Sequence, residues 1–176
     1  MHIRLATTAD RAGVHGVHWS AFPDGERAIV STCAVDLLSE DTTPATISLV
    51  AEAEDTIVGH VAFSPVTMSG PEAARGYILA PLAVRPEYQR RGIGSGLVTG
   101  GIQRLSASGV NVLFVYGDPD YYGRFGFGAD AAVGFQPPYR LQCPSGWQAL
   151  ILHEFADVEP PIRLACVESL RNAALW

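Results

Sequence analysis

The stretch from Ile78 to Ser95 restricts the fold more than any other part of the chain: Ile-Leu-Ala-Pro-Leu-Ala-Val-Arg-Pro-Glu-Tyr-Gln-Arg-Arg-Gly-Ile-Gly-Ser. Ile78 to Val84 is apolar in the way of a buried strand. Arg85-Pro86-Glu87-Tyr88 stops it, because Pro86 lacks an N–H and turns the residue before it away from helix. Gln89-Arg90-Arg91-Gly92-Ile93-Gly94 then leads into a long helical pattern. A tight turn feeding a helix N-terminus leaves several backbone N–H groups without partners and adds the positive end of the helix dipole. Such a place holds a phosphate. Glycines there let an anion reach the backbone, and Arg90 and Arg91 add charge. The alternative is a turn that serves only tight packing of strand on helix.

Two common phosphate motifs are excluded. The Walker pattern needs Lys-Ser/Thr after its last glycine, and none follows here. The dinucleotide fingerprint fails as well, because the glycines are Gly92, Gly94 and Gly96 and no acidic residue stands roughly 20 positions on, where a ribose would need it.

The rest of the chain places this stretch in an α/β order. His2 to Leu5 alternates like a strand. Thr8-Ala9-Asp10 starts a helix, with Val14, Val17, His18 and Ala21 at helical spacing. Pro23-Asp24-Gly25 is a turn, and Glu26 to Leu38 is a second helix with Ile29, Val30, Cys33, Ala34 and Leu37 on one face. Ile47–Ala53 and Thr56–Val66 form a hairpin across Glu54-Asp55, in which Gly59 is read as a bulge. A loop containing Gly70-Pro71 precedes the central strand Gly76–Val84. Gly92 to Ser108 is the third helix, and its Gly96, Gly100 and Gly101 are costly unless something packs closely against them. Asn111 to Tyr116 is a buried strand. Strand, helix and strand make a βαβ unit, so the two strands are parallel neighbours. Asp118 caps a short helix with Pro119 at its first position. Gln148 to Leu152 is a late strand. After Glu159-Pro160-Pro161 the pattern does not decide between strand and helix, although Val167 to Leu175 leans helical.

Gln89-Arg90-Arg91-Gly92-Ile93-Gly94 resembles motif A of the GNAT acetyltransferase superfamily, Gln/Arg-x-x-Gly-x-Gly/Ala. A second match follows downstream, Gly117-Asp118-Pro119 with Tyr121-Tyr122-Gly123-Arg124-Phe125-Gly126-Phe127. The element order agrees over residues 3–152, and the tail from 158 to 176 is unmatched. The resemblance implies one GNAT domain over residues 1–176. Its sheet is central, mixed and mostly antiparallel, with one parallel pair splayed around acyl-CoA and helices on both faces. It implies an N-acetyltransferase that moves the acetyl group of acetyl-CoA directly to a primary amine of a small molecule or peptide, without metal. A non-catalytic acyl-CoA-binding or sensing module and an enzyme using a longer acyl-CoA are the alternatives.

Residue by residue, the resemblance places the diphosphate on the backbone of Gln89, Arg90, Arg91, Gly92, Ile93, Gly94 and Ser95. It places the pantetheine arm along Leu82, Ala83 and Val84, with a backbone N–H near Leu82 polarising the thioester carbonyl. Asp118 and Tyr121 join the cofactor side. Pro81 cannot donate to a ladder, which suits a strand that splays. Tyr122 is the general acid for the leaving thiolate, a role chemically open to a phenol; an aromatic that simply packs the core is the alternative. Glu26, between the first two helices, is the candidate base, ahead of His60 and Glu52.

Composition narrows the setting. At 176 residues with 48% hydrophobic and 17% charged residues, the chain suits one globular core. A net charge of −6 argues against nucleic acid and suits a cationic acceptor. Cys33, Cys143 and Cys166 have no metal spacing and read as reduced, buried thiols. No signal peptide and no run of membrane-spanning length is read, which points to the cytoplasm. A homodimer is a further expectation, for which the tail ending in Leu175-Trp176 is available.

Overall fold

The computed structural model describes residues 1–69, 74–155 and 160–176. The expected loop at Gly70-Pro71 and the Glu159 of Glu159-Pro160-Pro161 lie outside the described residues. The elements are β1 (His2–Leu5), α1 (Arg11–Ala21), α2 (Arg27–Leu37), β2 (Ile47–Ala53), β3 (Thr56–Met68), β4 (Gly76–Val84), α3 (Ile93–Ala107), β5 (Val112–Tyr116), α4 (Pro119–Tyr122), β6 (Phe135–Gln136), β7 (Trp147–Ile151) and β8 (Ile162–Ala165). The main sheet runs β1-β2-β3-β4-β5-β7. It is antiparallel except for β4 and β5, which are parallel. This is the mixed sheet expected of the sequence.

Helices cover both faces. On one, α3 buries Ile93, Leu97, Val98 and Leu105 against Leu49, Val61, Phe63, Leu79 and Leu113. The glycines of α3 have separable reasons. A Cβ on Gly101 would stand 2.0 Å from the Phe63 ring and one on Gly96 2.9 Å from Ile3. Gly100 has nothing nearer than 3.7 Å, so close packing explains Gly96 and Gly101 but not Gly100. On the other face, Val14 of α1 and Ala34 of α2 pack on Val50. Further along that face Cys33 and Leu37 join Ile78, Phe114, Trp147, Leu170 and Trp176.

The feature that positions the site is the parting of β4 from β5. Their parallel pairing covers Gly76 to Leu79 and stops there. Opposite β3 the ladder runs Phe63 with Leu79 and then Val61 with Leu82, so Ala80 and Pro81 face Ala62 alone. Two residues against one is a bulge, and Pro81 has no N–H for β5 to receive. From Leu82 onward β4 stays with β3 and, among the described residues, has no strand partner on its β5 side. The second irregularity, between Ala51 and Glu52 of β2, lies beside Gly59 as expected. Gly59 has a separate use: a Cβ there would meet Ile93 and Leu97 at 3.0 Å.

The tail departs from the sequence reading. Ile162–Ala165 is a strand, paired with Thr67 and Met68 at the end of β3. Its alternation of buried Ile162 and Leu164 with exposed Arg163 and Ala165 is a strand period too short to stand out. Val167 to Leu175 holds two short 3₁₀ turns, Glu168–Leu170 and Ala173–Leu175, and no α-helix. Glu40, just beyond α2, holds the first turn by accepting from the Glu168 and Ser169 N–H groups at 2.8 and 3.0 Å. Trp176 is buried within the chain beside Trp147 and donates its indole N–H to the Leu170 carbonyl at 3.0 Å. Cys143 is exposed, so only Cys33 and Cys166 are the buried thiols expected.

Candidate active site at the splayed strands

Where β4 leaves β5 the structure opens a cavity of about 640 Å³. Its wall is Leu82, Ala83 and Val84, then Tyr88, Gln89 and Arg90 in the turn, then Gly92 to Ser95 at the start of α3, with Tyr121 and Arg124 opposite. The turn is tied down locally. Arg85 makes the last bond to β3, its N–H to the Val58 carbonyl at 2.9 Å. Pro86–Tyr88 follows as a 3₁₀ turn, and the Gln89 side-chain amide donates back to the Val84 carbonyl at 3.0 Å. Arg90 (φ +60°) and Gly92 (φ +78°) both adopt the left-handed backbone. Glycine takes it freely, but for Arg90 it costs on the order of 1–2 kcal/mol. The first α3 amide bonded within this turn is that of Gly96, to the Gly92 carbonyl at 2.9 Å. The N–H groups of Ile93, Gly94 and Ser95 therefore have no helical partner, and no side chain caps them. Unpaired amides, the helix dipole and two guanidinium groups make this wall an anion site.

The arginines divide differently from expectation. Arg90 lines the cavity, whereas Arg91 lies over the Tyr88 ring at 5.2 Å and is not part of the wall. Arg124 takes its place, stacked 4.0 Å over the Tyr121 ring. The Tyr121 hydroxyl sits against the helix start, where a Cβ on Gly94 would approach it to 2.6 Å.

A second cavity, of about 340 Å³, lies on the far side of the same seam. It shares Phe22 and Leu82 with the first. Glu26, Cys33, Pro81, Asp118 and Tyr122 are in its wall, and Leu170, Ala174, Leu175 and Trp176 close it from the tail. Asp118, expected among the cofactor residues, thus lines this cavity and not the larger one; its carboxylate caps α4 by accepting from the Asp120 N–H at 3.0 Å. Tyr122 can reach the seam because residue 117 is glycine, where a Cβ would lie 2.5 Å from the Tyr122 ring. Burial, helped by Tyr121 and Asp118, pushes the Tyr122 phenol well above its ordinary range. Burial likewise pushes the Cys33 thiol up to about 12.

The other base candidates are elsewhere. Glu52 pairs with Arg4 at 3.0 Å at the sheet edge. His60 is fully buried under α1 and shares a 2.8 Å hydrogen bond with His18. Neither is in the wall of either of these two cavities. Sequence reasoning missed Phe22, Arg124, Gly117 and the tail as parts of the site. Arg124 was within the quoted Tyr-Tyr-Gly-Arg-Phe run, three positions after Tyr121, the spacing at which helical neighbours touch. Among the described residues, no group of three His, Cys, Asp or Glu side chains is placed to hold a metal, and no helix is long and apolar enough to cross a membrane.

Comparison with known proteins agrees with this geometry. The model of the acetyltransferase (GNAT) family matches residues 12–127. The uncharacterized N-acetyltransferase YjhQ of Escherichia coli K12 is 35% identical over 139 residues, 78% of this chain and 75% of that protein. The uncharacterized N-acetyltransferase YhbS of the same strain is 33% identical over 159 residues, 89% of each chain. Among solved structures, Escherichia coli YhbS in complex with CoA superposes with a TM-score of 0.80 at 27% identity, covering 99% of this chain and 93% of that one. A GNAT family acetyltransferase from Brucella melitensis in complex with acetyl-CoA gives a TM-score of 0.68 at 29% identity, covering 96% of each. With its family match, its relatives and its splayed β4–β5 pair, the chain belongs to the GNAT family of acetyltransferases.

Proposed function

We propose that the chain moves the acetyl group of acetyl-CoA directly onto a primary amine. The observation that carries the reading is that two cavities of opposite character meet at Phe22 and Leu82. One has an anion-binding turn with Arg90 and Arg124; the other has Glu26, Asp118 and Tyr122. The CoA and acetyl-CoA complexes of the two structural relatives support the identity of the donor. In this reading the diphosphate accepts from the amides of Ile93, Gly94 and Ser95, and Arg90 and Arg124 balance its charge. The pantetheine arm runs along Leu82 to Val84, on the side of β4 that β5 has left.

The amine enters from the second cavity. Its nitrogen attacks the thioester carbonyl carbon, whose oxygen is polarised by a backbone N–H near Leu82. The C–N bond forms and the C–S bond breaks. The ammonium ion gives up one proton before attack, to Glu26 directly or through water and on to solvent; the leaving thiolate takes the Tyr122 phenol proton, and the second proton shed by the nitrogen restores the phenol. Burial holds Tyr122 protonated at neutral pH. The emerging thiolate is desolvated too, which raises its own affinity for that proton. Cys33 lines the same cavity, but its raised thiol is protonated and a poor nucleophile, which supports direct transfer over an acyl-enzyme.

Tyr122→Phe is the test. With an amine substrate in hand, kcat falls about 10²–10⁴-fold while acetyl-CoA binding is kept. Full turnover in Tyr122→Phe would remove the acid. If wild type binds acetyl-CoA but releases no thiol with any amine, the chain is a binding module.

A further inference from the structure

We infer that the acceptor is a monoamine with a compact apolar body and no carboxylate, and that the tail residues Leu175 and Trp176 set its size; this rests on the acetyl-transfer reading above. The second cavity is the basis. Its charged wall residues are Glu26 and Asp118, and no arginine is in that wall; the sequence contains no lysine. A protonated amine is drawn to such a mouth. A carboxylate on the same molecule enters beside two like charges with no cation to pair, so an α-amino acid is rejected.

The floor excludes the other large class of amines. The same wall carries Ile29, Val30, Ile78, Leu82, Leu175 and Trp176. A polyamine with three ammonium groups outnumbers the two carboxylates of this wall and would bury at least one of them against these side chains without a partner. An aryl or branched alkyl body fills them, within a volume of about 340 Å³ that suits a small molecule.

The back wall is the tail, which lies outside the 12–127 match to the family model. It is held firmly. Glu40 grips the turn at Glu168 and Ser169, and Trp176 is bonded to Leu170 and packed beside Trp147 and Tyr139. Leu175 is only half-buried, so it can be shortened without opening the core. Its removal enlarges the cavity where the acceptor's body ends.

The test compares 2-phenylethylamine, phenylalanine, tryptamine, ethylamine and spermidine as acceptors, with thiol release as the readout. The protein should use 2-phenylethylamine with kcat/KM at least about 100-fold above phenylalanine, because the latter carries an unpaired buried charge. Ethylamine should fall by about tenfold or more for its missing apolar body. In Leu175→Ala the ratio of tryptamine to 2-phenylethylamine should rise several-fold, with KM for acetyl-CoA unchanged. Preference for spermidine or phenylalanine would overturn the acceptor class while leaving acetyl transfer standing. An unchanged ratio in Leu175→Ala would overturn the role of the tail. Hexanoyl-CoA preferred over acetyl-CoA, with that preference altered in Leu175→Ala, would assign the cavity to the acyl chain instead. Absence of thiol release with every amine, while acetyl-CoA still raises the unfolding temperature, would overturn the transfer reading and this inference with it.

Discussion

Replacing Gly92 by alanine separates the two uses a glycine-rich turn can have. Gly92 has φ +78° and ψ 2°, and an added Cβ would meet no atom within 4 Å. The fold therefore loses only the left-handed backbone preference, about 1–2 kcal/mol for an L-residue. For a chain of this length that lowers Tm by roughly 2–8 °C. The new methyl stands in the larger cavity, beside the amides proposed for the diphosphate. Acetyl-CoA at about 100 times its Kd adds roughly 2.7 kcal/mol to the wild-type protein, or about 5–11 °C. If the methyl weakens binding 100-fold, the same ligand concentration adds only about 0.4 kcal/mol, a rise of about 1–2 °C. Thermal unfolding with and without acetyl-CoA reads both effects, with NADH and ATP as controls. A Gly92→Ala protein that loses stability but keeps the full acetyl-CoA shift would refute the reasoning: the turn would then serve packing alone.

Two other glycines should move in opposite directions. Gly101→Ala forces a methyl into the Phe63 ring and should cost about 1–3 kcal/mol, read as a lower urea midpoint. Gly100→Ala has its nearest contact at 3.7 Å and should stabilise by about 0.4–1 kcal/mol. Stability should also fall with pH in two windows, measured by urea unfolding. His18 and His60 are held neutral by burial, below their ordinary range. Their contribution is full above the unfolded histidine value of about 6.5 and fades as pH falls beneath it. Asp10 is held at about 2, chiefly by the side-chain hydrogen bond from Arg4 and also by the Thr7 N–H, despite desolvation. Its share, roughly 2 kcal/mol, is present above the unfolded aspartate value of about 4 and is lost as pH falls toward 2; Asp10→Asn should flatten that window. Glu40→Gln should loosen the tail, raising KM for the amine several-fold more than KM for acetyl-CoA.

Much of the fold was legible because its signals are local. Pro86 after Val84, glycines opening α3 and an apolar run on each side define a βαβ unit without reference to anything distant. Pro81 announced the seam for the same reason, since a missing N–H is a property of one residue. Of the two cavities, only the one at the start of α3 was legible, because its wall is largely local backbone. The second cavity is built from residues far apart in sequence: Phe22 and Glu26 before α2, Gly117 after β5, and the tail. No periodicity links them. Gly117 read as the start of a helix, whereas the structure uses it to make room for the Tyr122 ring. Arg91 and Arg124 exchange roles because the left-handed turn at Arg90 sends the next side chain onto Tyr88. The sequence left the tail open between strand and helix because the four residues of β8 pair with the end of β3, about 95 positions earlier.

Direct transfer across the seam is tested most directly by following labelled acetyl groups. The protein is incubated with radiolabelled acetyl-CoA and quenched before and after 2-phenylethylamine is added. Thiol, amide and protein-bound label are counted. The chain has no lysine, so label kept by the protein cannot be lysine acetylation. The account predicts thiol only after amine is added, in equal amount to amide, with no label on the protein at any time. A burst of thiol before the amine, matched by label on Cys33, would mean an acyl-enzyme and would contradict it.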